Sequence, residues 1–440
     1  MGRFNPPQIL IFSFLCVITV GTVLLGLPAA SQGPGKLPLI DSLFTATSAT
    51  CVTGLIVRDT GSYFSPFGRW VIFALFQVGG LGIMTFSTLF AVLLGKRLGF
   101  RQGDVIKSTL DKNSIVGLGR LIRYILAATL IAESIAAFFL FIRWRAITDW
   151  GILVTLERSV FHAVSAFCNA GFSLFKDSFI VFADDPYINL IMMAAIIAGG
   201  IGFIVMFDVA GRLSRRSSRR TLTLQSRTAI HVSLYLIAAG ALLFFIFEQD
   251  NVLRGLSAPA AVWPSLFQSV TARTAGFNTV QIGQLTGPTL FFLVFLMFIG
   301  ASPGSTGGGI KTSTFAVILA NMAAKFHNRG RTRLFQRSVP LQVVRESMVI
   351  CFLALTWIFV AGLVFMYVGR DAGARIPFIR ALFEMVSAFG TVGLSTGITG
   401  GLNAAGKICV IVTMFVGRLG PLTLAVAVAI RGTQENYVFP

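Results

Sequence analysis

The chain has 440 residues, of which 55% are hydrophobic, only 12% are charged and 42 are phenylalanine. A soluble domain carries about 25% charged residues, so this composition excludes that class and indicates an integral membrane protein. The net charge of +19 does not indicate nucleic-acid binding, because the basic residues lie between apolar runs and not in stripes with aromatic side chains. We interpret them as signals of membrane topology.

Eight apolar runs are long enough to cross a bilayer, and they predict an all-α integral membrane protein with eight transmembrane helices. In chain order they lie near residues 8–28, 70–95, 120–142, 188–210, 229–247, 288–322, 347–368 and 406–430. The first run is long for the core of a signal peptide and only a weak cleavage site follows it. We therefore expect it to be retained.

The charge of the connecting segments predicts the orientation of these helices. Segments 96–123, 212–227 and 325–345 contain seven, six and six Lys or Arg residues, whereas the four connections on the other side hold 13 basic and 11 acidic residues. Because short basic loops stay in the cytoplasm, both termini are predicted to be cytoplasmic. The basic run at 212–220 is a candidate surface for anionic membrane lipids or for a cytoplasmic protein partner.

Four polar stretches resemble one another and divide the chain into repeats. They read SATCVTGL at 48–55, SAFCNAGF at 165–172, TARTAGF at 271–277 and SAFGTVGL at 387–394. Their shared glycines, Gly54, Gly171, Gly276 and Gly393, are separated by 117, 105 and 117 residues. We predict four repeats, at 1–95, 96–212, 213–325 and 326–440.

Each shared glycine follows an amphiphilic run that is too short to span a membrane but long enough for a half-helix. A half-helix that ends near the midplane requires the next residues to line water or ions, because backbone facing lipid would leave polar groups unpaired. We therefore predict four re-entrant pore loops (P-loops) around one axis, whose carbonyls replace the hydration shell of a cation. The candidate filter residues are Val52, Thr53, Gly54, Asn169, Ala170, Gly171, Thr274, Ala275, Gly276, Thr391, Val392 and Gly393.

The fourth loop carries Thr391, Val392 and Gly393, the first three letters of the potassium-filter motif TVGYG. Glycine at the third position permits positive φ and close approach of neighbouring backbones. Taken singly, each glycine also fits ordinary small-residue packing between helices. Because the four triplets differ, we expect a potassium preference with some passage of rubidium or sodium.

On these glycines and several longer motifs, the chain resembles the Ktr/Trk/HKT superfamily of potassium transporters, most closely its Ktr-type membrane subunits. The motifs are RTAGFN at 273–278, SAFGTVGL at 387–394, QVGGLGIMTF at 77–86, IGASPGSTGGGIKT at 299–312 and VGRLGPLT at 416–423. The length favours the Ktr branch over the Trk branch, whose members resemble this core with additional helices ahead of it. Gly54 favours potassium, since sodium-selective plant relatives carry Ser at that position.

The resemblance implies a pseudo-fourfold pore built from four M1-P-M2 repeats, each a helix, a pore loop and a second helix. It implies a homodimer in the bacterial cell (inner) membrane and control by a cytoplasmic ring of RCK-type regulatory subunits (KtrA-like). Potassium is then the transported substrate and sodium a candidate activator. No covalently bound cofactor and no resident metal are expected, and nucleotides are expected on the partner subunit only.

The sixth apolar run is interrupted by a segment with five glycines between 300 and 309 together with Pro303, a composition that opposes a continuous helix. In the resembling family this segment is an intramembrane gate, although a glycine-permitted kink without a gating role fits the same residues. Arg418 lies inside the last apolar run, where a charge is costly, so we expect it to contact this loop. The candidate gate residues are Gly304, Ser305, Thr306, Gly307, Gly308, Gly309, Lys311 and Arg418.

Several ionisable residues have more than one interpretation from sequence. Lys311 either belongs to the gate or extends to the cytoplasmic surface. Arg273 precedes the third filter triplet, where an ion pair with Glu384 is a candidate anchor. Asp208 and Glu133 either cap a helix or meet an inside basic residue.

Other function classes fit the sequence less well. The five cysteines show no metal-ligand spacing, and no nucleophile, acid pair or phosphate-binding loop can be assembled, so an enzyme is not expected. A cation-coupled secondary carrier of a small solute is the alternative, since such carriers also place broken helices at the midplane. The same-direction repeats and the lack of a clear midplane acid favour the conducting pore.

Overall fold

The computed structural model describes residues 6–33, 35–98, 114–213, 222–328 and 330–420, with side chains except at 6–7, 83–98, 114–121 and 213. Within these ranges nearly all of the regular secondary structure is helical. The strands found there, β1 (Arg333–Leu334) and β2 (Arg337–Ser338), form one antiparallel hairpin, a small departure from the all-α prediction. Most of the predicted basic run at 212–220 and residues 421–430 of the last predicted span lie outside the described residues.

The α-helices of the described part follow one another along the chain. They are α1 (Pro6–Leu25), α2 (Leu39–Thr50), α3 (Thr60–Tyr63), α4 (Pro66–Leu98), α5 (Ser114–Ile147), α6 (Ile152–Phe167), α7 (Pro186–Ile201), α8 (Phe203–Leu213), α9 (Leu224–Glu248), α10 (Ala258–Thr271), α11 (Gly287–Phe298), α12 (Thr312–Phe326), α13 (Leu341–Val368), α14 (Phe378–Gly390) and α15 (Ala404–Leu419). Short 3₁₀ turns lie at Pro28–Ala30, Ile180–Phe182, Ile282–Gln284 and Thr399–Gly401.

Four long helices, α1, α5, α9 and α13, are apolar and long enough to cross a membrane, and the bent pair α7 and α8 would make a fifth such span in the described part. No more than 33% of the apolar window of any of these four is buried inside the molecule. Apolar side chains that face outward along a whole helix are typical of contact with lipid. The first helix of each predicted repeat therefore lies on the outside of the molecule.

Four short helices, α2, α6, α10 and α14, have 12, 16, 14 and 13 residues. At about 1.5 Å per residue they reach about 18–24 Å, less than the roughly 30 Å of a hydrocarbon core. Their C-terminal halves are buried almost without exception. They therefore point into the centre of the molecule and end there.

The packing of the helices closes into a circle. Each short helix packs on the long helix before it, and neighbouring repeats meet through α4 with α6, α7 with α10, and α11 with α14. The last helix, α15, packs on α2, so the end of the described chain returns to its beginning. This closure brings the C-terminal ends of all four short helices together.

The apolar run at 188–210, predicted as one transmembrane helix, is broken into two helices. Helices α7 and α8 meet at an angle of 104° at Gly202, where φ is 91°. A side chain at Gly202 would press on the carbonyl of Pro303, and the backbone N–H of Phe203 donates to the carbonyl of Gly304 at 3.0 Å. The bend thus makes room for the glycine-rich loop of the third predicted repeat. The sequence of the second predicted repeat alone does not predict this bend.

Candidate ion-conduction site

The four loops that follow the short helices share one backbone conformation. In each loop the first residue of the triplet and the final glycine have positive φ, while the middle residue does not. The values are 54° at Val52, 59° at Asn169, 77° at Thr274 and 48° at Thr391, and 91°, 70°, 81° and 93° at Gly54, Gly171, Gly276 and Gly393. Positive φ is costly for residues with a Cβ, so its recurrence at matched positions indicates four copies of one device.

The four loops touch in a closed ring. The glycine of each loop lies against the carbonyl oxygen that precedes the glycine of the next loop. The contacts run from Gly54 to Ala170, from Gly171 to Ala275, from Gly276 to Val392 and from Gly393 to Thr53. A Cβ on Gly54 would lie 2.6 Å from the Ala170 oxygen, closer than real Cβ contacts allow. The close approach therefore requires glycine at these positions.

Hydroxyl side chains at the ends of the short helices hold the loops in place. Ser48 and Ser387 each accept a hydrogen bond of 3.1 Å from the N–H of the filter glycine six residues later. Ser165 and Thr271 instead donate to the carbonyls of Phe172 and Phe277, at 2.8 and 2.7 Å. These anchors were not among the predicted site residues, although a Ser or Thr opens each of the four repeated stretches.

A cavity of about 440 Å³ lies on one side of the ring, and all four filter glycines line it. Polar side chains contribute to its wall, among them Ser173, Asn278, Gln281, Ser395 and Thr396. The ring therefore forms the floor of a single water-accessible opening shared by the four loops.

The second helix of three of the predicted repeats also approaches the pore loop of its own repeat at a glycine. Side chains at Gly79, Gly199 and Gly417 would collide with the carbonyls of Thr50, Phe167 and Phe389, each four residues before a filter glycine. In the third repeat the comparable residue, Gly300, instead packs on the carbonyl of Gly308. The interruption of the third repeat thus occupies the position where a regular helix would pass.

The glycine-rich loop at 299–311 lies directly against the candidate filter loops. A side chain on Gly307 would collide with the hydroxyl of Thr274, and one on Gly308 with the hydroxyl of Thr391. Thr274 and Thr391 are the first residues of the third and fourth filter triplets, on the opposite side from the cavity-lining glycines. The loop therefore covers the inner end of the ring.

Hydrogen bonds hold this loop against the broken helix of the second repeat. The N–H groups of Ser302 and Thr306 donate to the carbonyls of Gly200 and Gly199, at 3.0 and 3.2 Å. The Thr306 hydroxyl donates to the carbonyl of Phe167 at 3.1 Å. Within the loop, Gly304 and Gly309 have φ of 74° and 67°, and the Ser305 hydroxyl donates to the carbonyl of Ser302 at 2.6 Å.

Arg418 joins the loop to the first repeat. Its guanidinium is buried and donates through Nη1 to the carbonyl of Thr306 and through Nη2 to the carbonyl of Gly79, the latter at 2.7 Å. Thr306 is one of the loop residues expected to receive it. No acidic group among the described residues forms an ion pair with Arg418, so backbone carbonyls alone hold this charge.

Of the two interpretations of Lys311 from sequence, extension to the cytoplasmic surface does not agree with the structure. Its Nζ donates to the carbonyl of Gly307 at 2.7 Å, and its side chain is partly buried. Two cationic side chains therefore donate to neighbouring carbonyls of the same loop, Arg418 to Thr306 and Lys311 to Gly307.

The remaining ionisable residues have varied surroundings. Asp208 caps the start of α9 through Thr223 and Ser226. Both carboxylate oxygens of Glu133 accept from Nε2 of Gln77, at 3.1 and 3.2 Å, so Glu133 meets a neutral amide and not an inside basic residue.

The suggested ion pair between Arg273 and Glu384 is absent from the described residues. Nε of Arg273 is buried without a partner. Glu384 instead accepts from the hydroxyls of Ser395 and Thr399. Glu384 lies on α14, whereas Arg273 lies in the loop just after α10.

Comparison with known proteins gives consistent matches along the whole chain. A family model described as TrkH, cation transport protein, matches residues 5–438. The chain is 40% identical to the Ktr system potassium uptake protein B of Bacillus subtilis, over 100% of this chain and 96% of that protein. It is 35% identical to the potassium/sodium uptake protein NtpJ of Enterococcus hirae, over 100% and 96% of the two chains.

The fold has a solved counterpart. The crystal structure of the potassium transporter TrkH from Vibrio parahaemolyticus matches with a TM-score of 0.75, over 97% of this chain and 85% of that chain, at 20% sequence identity. That likeness concerns the fold, whereas the family model and the relatives concern the sequence. Together with the ring of four loops, they establish that the chain belongs to the TrkH family of cation transport proteins.

Proposed function

We propose that the chain is the potassium-conducting subunit of a Ktr-type uptake system, with eight transmembrane helices in four M1-P-M2 repeats around one pore. The observation that carries the proposal is the closed ring, in which each filter glycine meets a carbonyl of the next loop. Its family is one of cation transport proteins, a function class that is transport and not enzymatic. The relatives named for potassium uptake support potassium as the cation.

Selectivity arises from backbone oxygens in this proposal. A cation that enters from the 440 Å³ cavity loses water and gains carbonyl oxygens from the four triplets. The lining differs between loops, since the middle residues are Thr53, Ala170, Ala275 and Val392. We expect potassium to be preferred, with measurable passage of rubidium or sodium.

The loop at 299–311 acts as the gate, with Gly304, Ser305, Thr306, Gly307, Gly308 and Gly309 as its moving part. It covers the inner end of the filter, and Arg418 and Lys311 bind its carbonyls. Breaking these bonds would release the loop. As cations under the filter, both side chains would also oppose potassium until they move.

Membrane potential alone can drive uptake through such a pore. A potential of about 100 mV supplies about 2.3 kcal/mol per charge, enough for about fiftyfold accumulation. In the cell we place the subunit in the bacterial inner membrane, with cytoplasmic termini, as a homodimer under a cytoplasmic RCK-type ring. The basic cytoplasmic loops would bind this ring and anionic lipids.

Rescue of potassium-starved cells that lack their own uptake systems tests the proposal. The chain should restore growth in low potassium when it is produced with an RCK partner and sodium is present. Gly393→Ala should abolish rescue, because its backbone has φ of 93° and a Cβ would strike the carbonyl of Thr53. Gly362→Ala makes the same chemical change in α13 with no neighbour within 4 Å, so it should rescue normally. Failure of the unmodified chain under every combination would favour the secondary carrier.

A further inference from the structure

We propose that His162 is a positioning residue that holds the outer end of the second pore loop and thereby sharpens the choice between potassium and sodium. The outer end is the one that faces the 440 Å³ cavity. His162 lies on α6, nine residues before the filter glycine Gly171. The proposal rests on the proposed function, because it assigns a role in selectivity to a side chain behind the same ring of loops.

The position of His162 recurs in all four short helices. Each helix carries a buried phenylalanine at the same point, and the residue that follows it is polar but differs from one repeat to the next. The phenylalanines, each at most 4% exposed, are Phe44, Phe161, Phe267 and Phe383. The residues that follow them are Thr45, His162, Gln268 and Glu384. The shared buried anchor makes these four polar side chains comparable.

In three repeats this polar side chain bonds a side chain eleven residues later, just past the filter glycine. The link crosses the outer end of the loop each time, although an imidazole, an amide and a carboxylate supply it. The pairs are His162 with Ser173 at 3.1 Å, Gln268 with Thr279 at 3.4 Å, and Glu384 with Ser395 at 3.0 and 3.1 Å.

The first repeat lacks this link. The residue eleven positions after Thr45 is the apolar Ile56. The Thr45 hydroxyl instead donates to the carbonyl of Asp41 in its own helix, at 2.9 Å. Thr45 therefore provides a matched control, a polar residue at the same position that does not hold its loop.

His162 also binds the backbone of the loop directly. Its Nδ1 lies 2.7 Å from the carbonyl of Arg158, which can only accept, so Nδ1 carries the proton and Nε2 is an acceptor. The N–H of Leu174 donates to Nε2 at 3.1 Å. The Ser173 hydroxyl, beside the same nitrogen, accepts from the N–H of Phe175 at 3.0 Å. One neutral ring thus holds two successive N–H groups of the loop.

Aromatic neighbours fix the orientation of this ring. The imidazole is completely buried and stacks on Phe175, with ring centroids 4.6 Å apart and 10° between the planes. Trp144 and Phe179 pack against it edge to face, with centroids at 5.5 and 5.2 Å. A side chain locked by packing presents its acceptor in one place, as a preorganised site requires.

The segment that His162 holds begins two residues after Gly171, and Ser173 and Phe175 line the cavity. Fixing this segment limits how far the carbonyls of the second loop can shift. A loop that cannot close around a smaller ion keeps the oxygen spacing that suits the larger one, one of the origins of selectivity considered for potassium filters. We therefore expect loss of the link to admit more sodium.

The test compares Gln and Met at position 162, two side chains of similar length that differ in the amide group. Gln occurs at the matched position of the third repeat, and its amide oxygen can accept from the N–H of Leu174. The ratio of potassium to sodium permeability is taken from reversal potentials of the purified full chain in planar bilayers. His162→Met should lower this ratio by at least about fivefold, the scale of one lost neutral hydrogen bond, whereas His162→Gln should stay within about twofold. Thr45→Val should leave the ratio unchanged.

Hydrogen exchange of the same proteins in lipid nanodiscs measures the link without ion flow. The amide of Leu174 should exchange at least about fivefold faster in His162→Met than in the unmodified chain, because a local opening becomes easier, and His162→Gln should restore most of the protection. Equal exchange at residues 173–175 in the Met variant and the unmodified chain would overturn the positioning role.

An unchanged permeability ratio in His162→Met, or an equal fall in the Met and Gln variants, would overturn the role in selectivity. Should His162→Met fail to fold, Ser173→Ala decides the matter, because it removes the acceptor of the Phe175 N–H and should lower the ratio in the same direction. Cation current with an unchanged ratio in these variants contradicts only the role of His162. Faster exchange in His162→Met without any current from the unmodified chain contradicts only the conducting function.

Discussion

The ring of four candidate filter loops is nearly symmetric, whereas the layer beneath it is not. In the ring, all four repeats contribute the same backbone pattern and the same glycine contact. In the layer below, the third repeat supplies a loop, the second a helix broken at Gly202, the fourth Arg418, and the first the carbonyl of Gly79. Selection among ions needs equivalent oxygens around one axis, whereas control needs an element that can move while the others stay.

Because the ring is nearly symmetric and the layer below is not, we expect mutations in the two layers to have different effects on ion flux. A change in any one of the four loops should reduce conduction, because all four loops are needed to close the ring. A change in the lower layer should instead alter how often the path is open. Each of the following measurements tests this division.

The largest effect is expected from Ala at the filter glycines. Gly54→Ala, Gly171→Ala, Gly276→Ala and Gly393→Ala should each lower rubidium flux by about a hundredfold, the scale on which displacement of about 1 Å acts in a preorganised site. The backbone conformation alone costs about 1–2 kcal/mol for a residue with a Cβ. Flux is measured in proteoliposomes with Gly362→Ala as control. A variant among the four that conducts normally would contradict the closed ring.

Arg418→Ala should raise flux. Its guanidinium makes two hydrogen bonds to the carbonyls of Thr306 and Gly79, and bonds of this charged type are worth about 1.5–3 kcal/mol each. Losing them should favour the open loop by at least about tenfold, measured as rubidium flux per folded protein. Arg418→Lys, which keeps the charge but only part of the contact, should fall between the two. Unchanged or abolished flux at normal expression would count against the proposal that Arg418 holds the gate loop closed.

A smaller increase is expected from Thr306→Val. This change removes the hydroxyl that donates to the carbonyl of Phe167 at 3.1 Å and keeps the backbone contacts of the loop. A neutral hydrogen bond contributes about 1 kcal/mol, so flux should rise by about fivefold. Lower flux in this variant would indicate that the Thr306 hydroxyl assists conduction and does not hold the gate loop closed.

The smallest effect is expected on selectivity. Ser48→Ala and Ser387→Ala leave the N–H of Gly54 and Gly393 without its hydroxyl acceptor, at a cost of about 1 kcal/mol. The ratio of potassium to sodium permeability, taken from reversal potentials, should fall by less than about tenfold. The unmodified chain should itself pass some sodium, because its four triplets differ in sequence. A ratio of potassium to sodium permeability as high as that of a strict potassium channel would contradict this expectation.

How far the sequence predicts this molecule depends on how local each feature is. The loops could be recognised because one short motif recurs at matched spacing, and the glycine-rich segment because its composition opposes a helix. The break at Gly202 could not, since GGIG in the second repeat resembles GGLG in the first, where α4 continues. The bend depends on a loop about one hundred residues later in the chain.

Side-chain partners were predicted less well than backbone features. An ion pair between Arg273 and Glu384 was a candidate anchor from sequence, because Arg273 directly precedes the third triplet and Glu384 has the opposite charge. The partners of Glu384 depend on which face of α14 carries it, and the surroundings of Arg273 depend on the path of the loop after α10. Both are fixed only when the helices pack. Glu384 therefore faces Ser395 and Thr399.

The position of rubidium in a crystal of the protein grown in rubidium chloride, located by anomalous scattering, would show whether the four loops form the filter. We expect a peak on the axis of the ring, framed by the carbonyls of Thr53, Ala170, Ala275 and Val392, and loss of that peak in Gly393→Ala. A structure with ordered loops and no rubidium on this axis, or with rubidium bound elsewhere in the membrane region, would contradict the conclusion that these four loops form the filter.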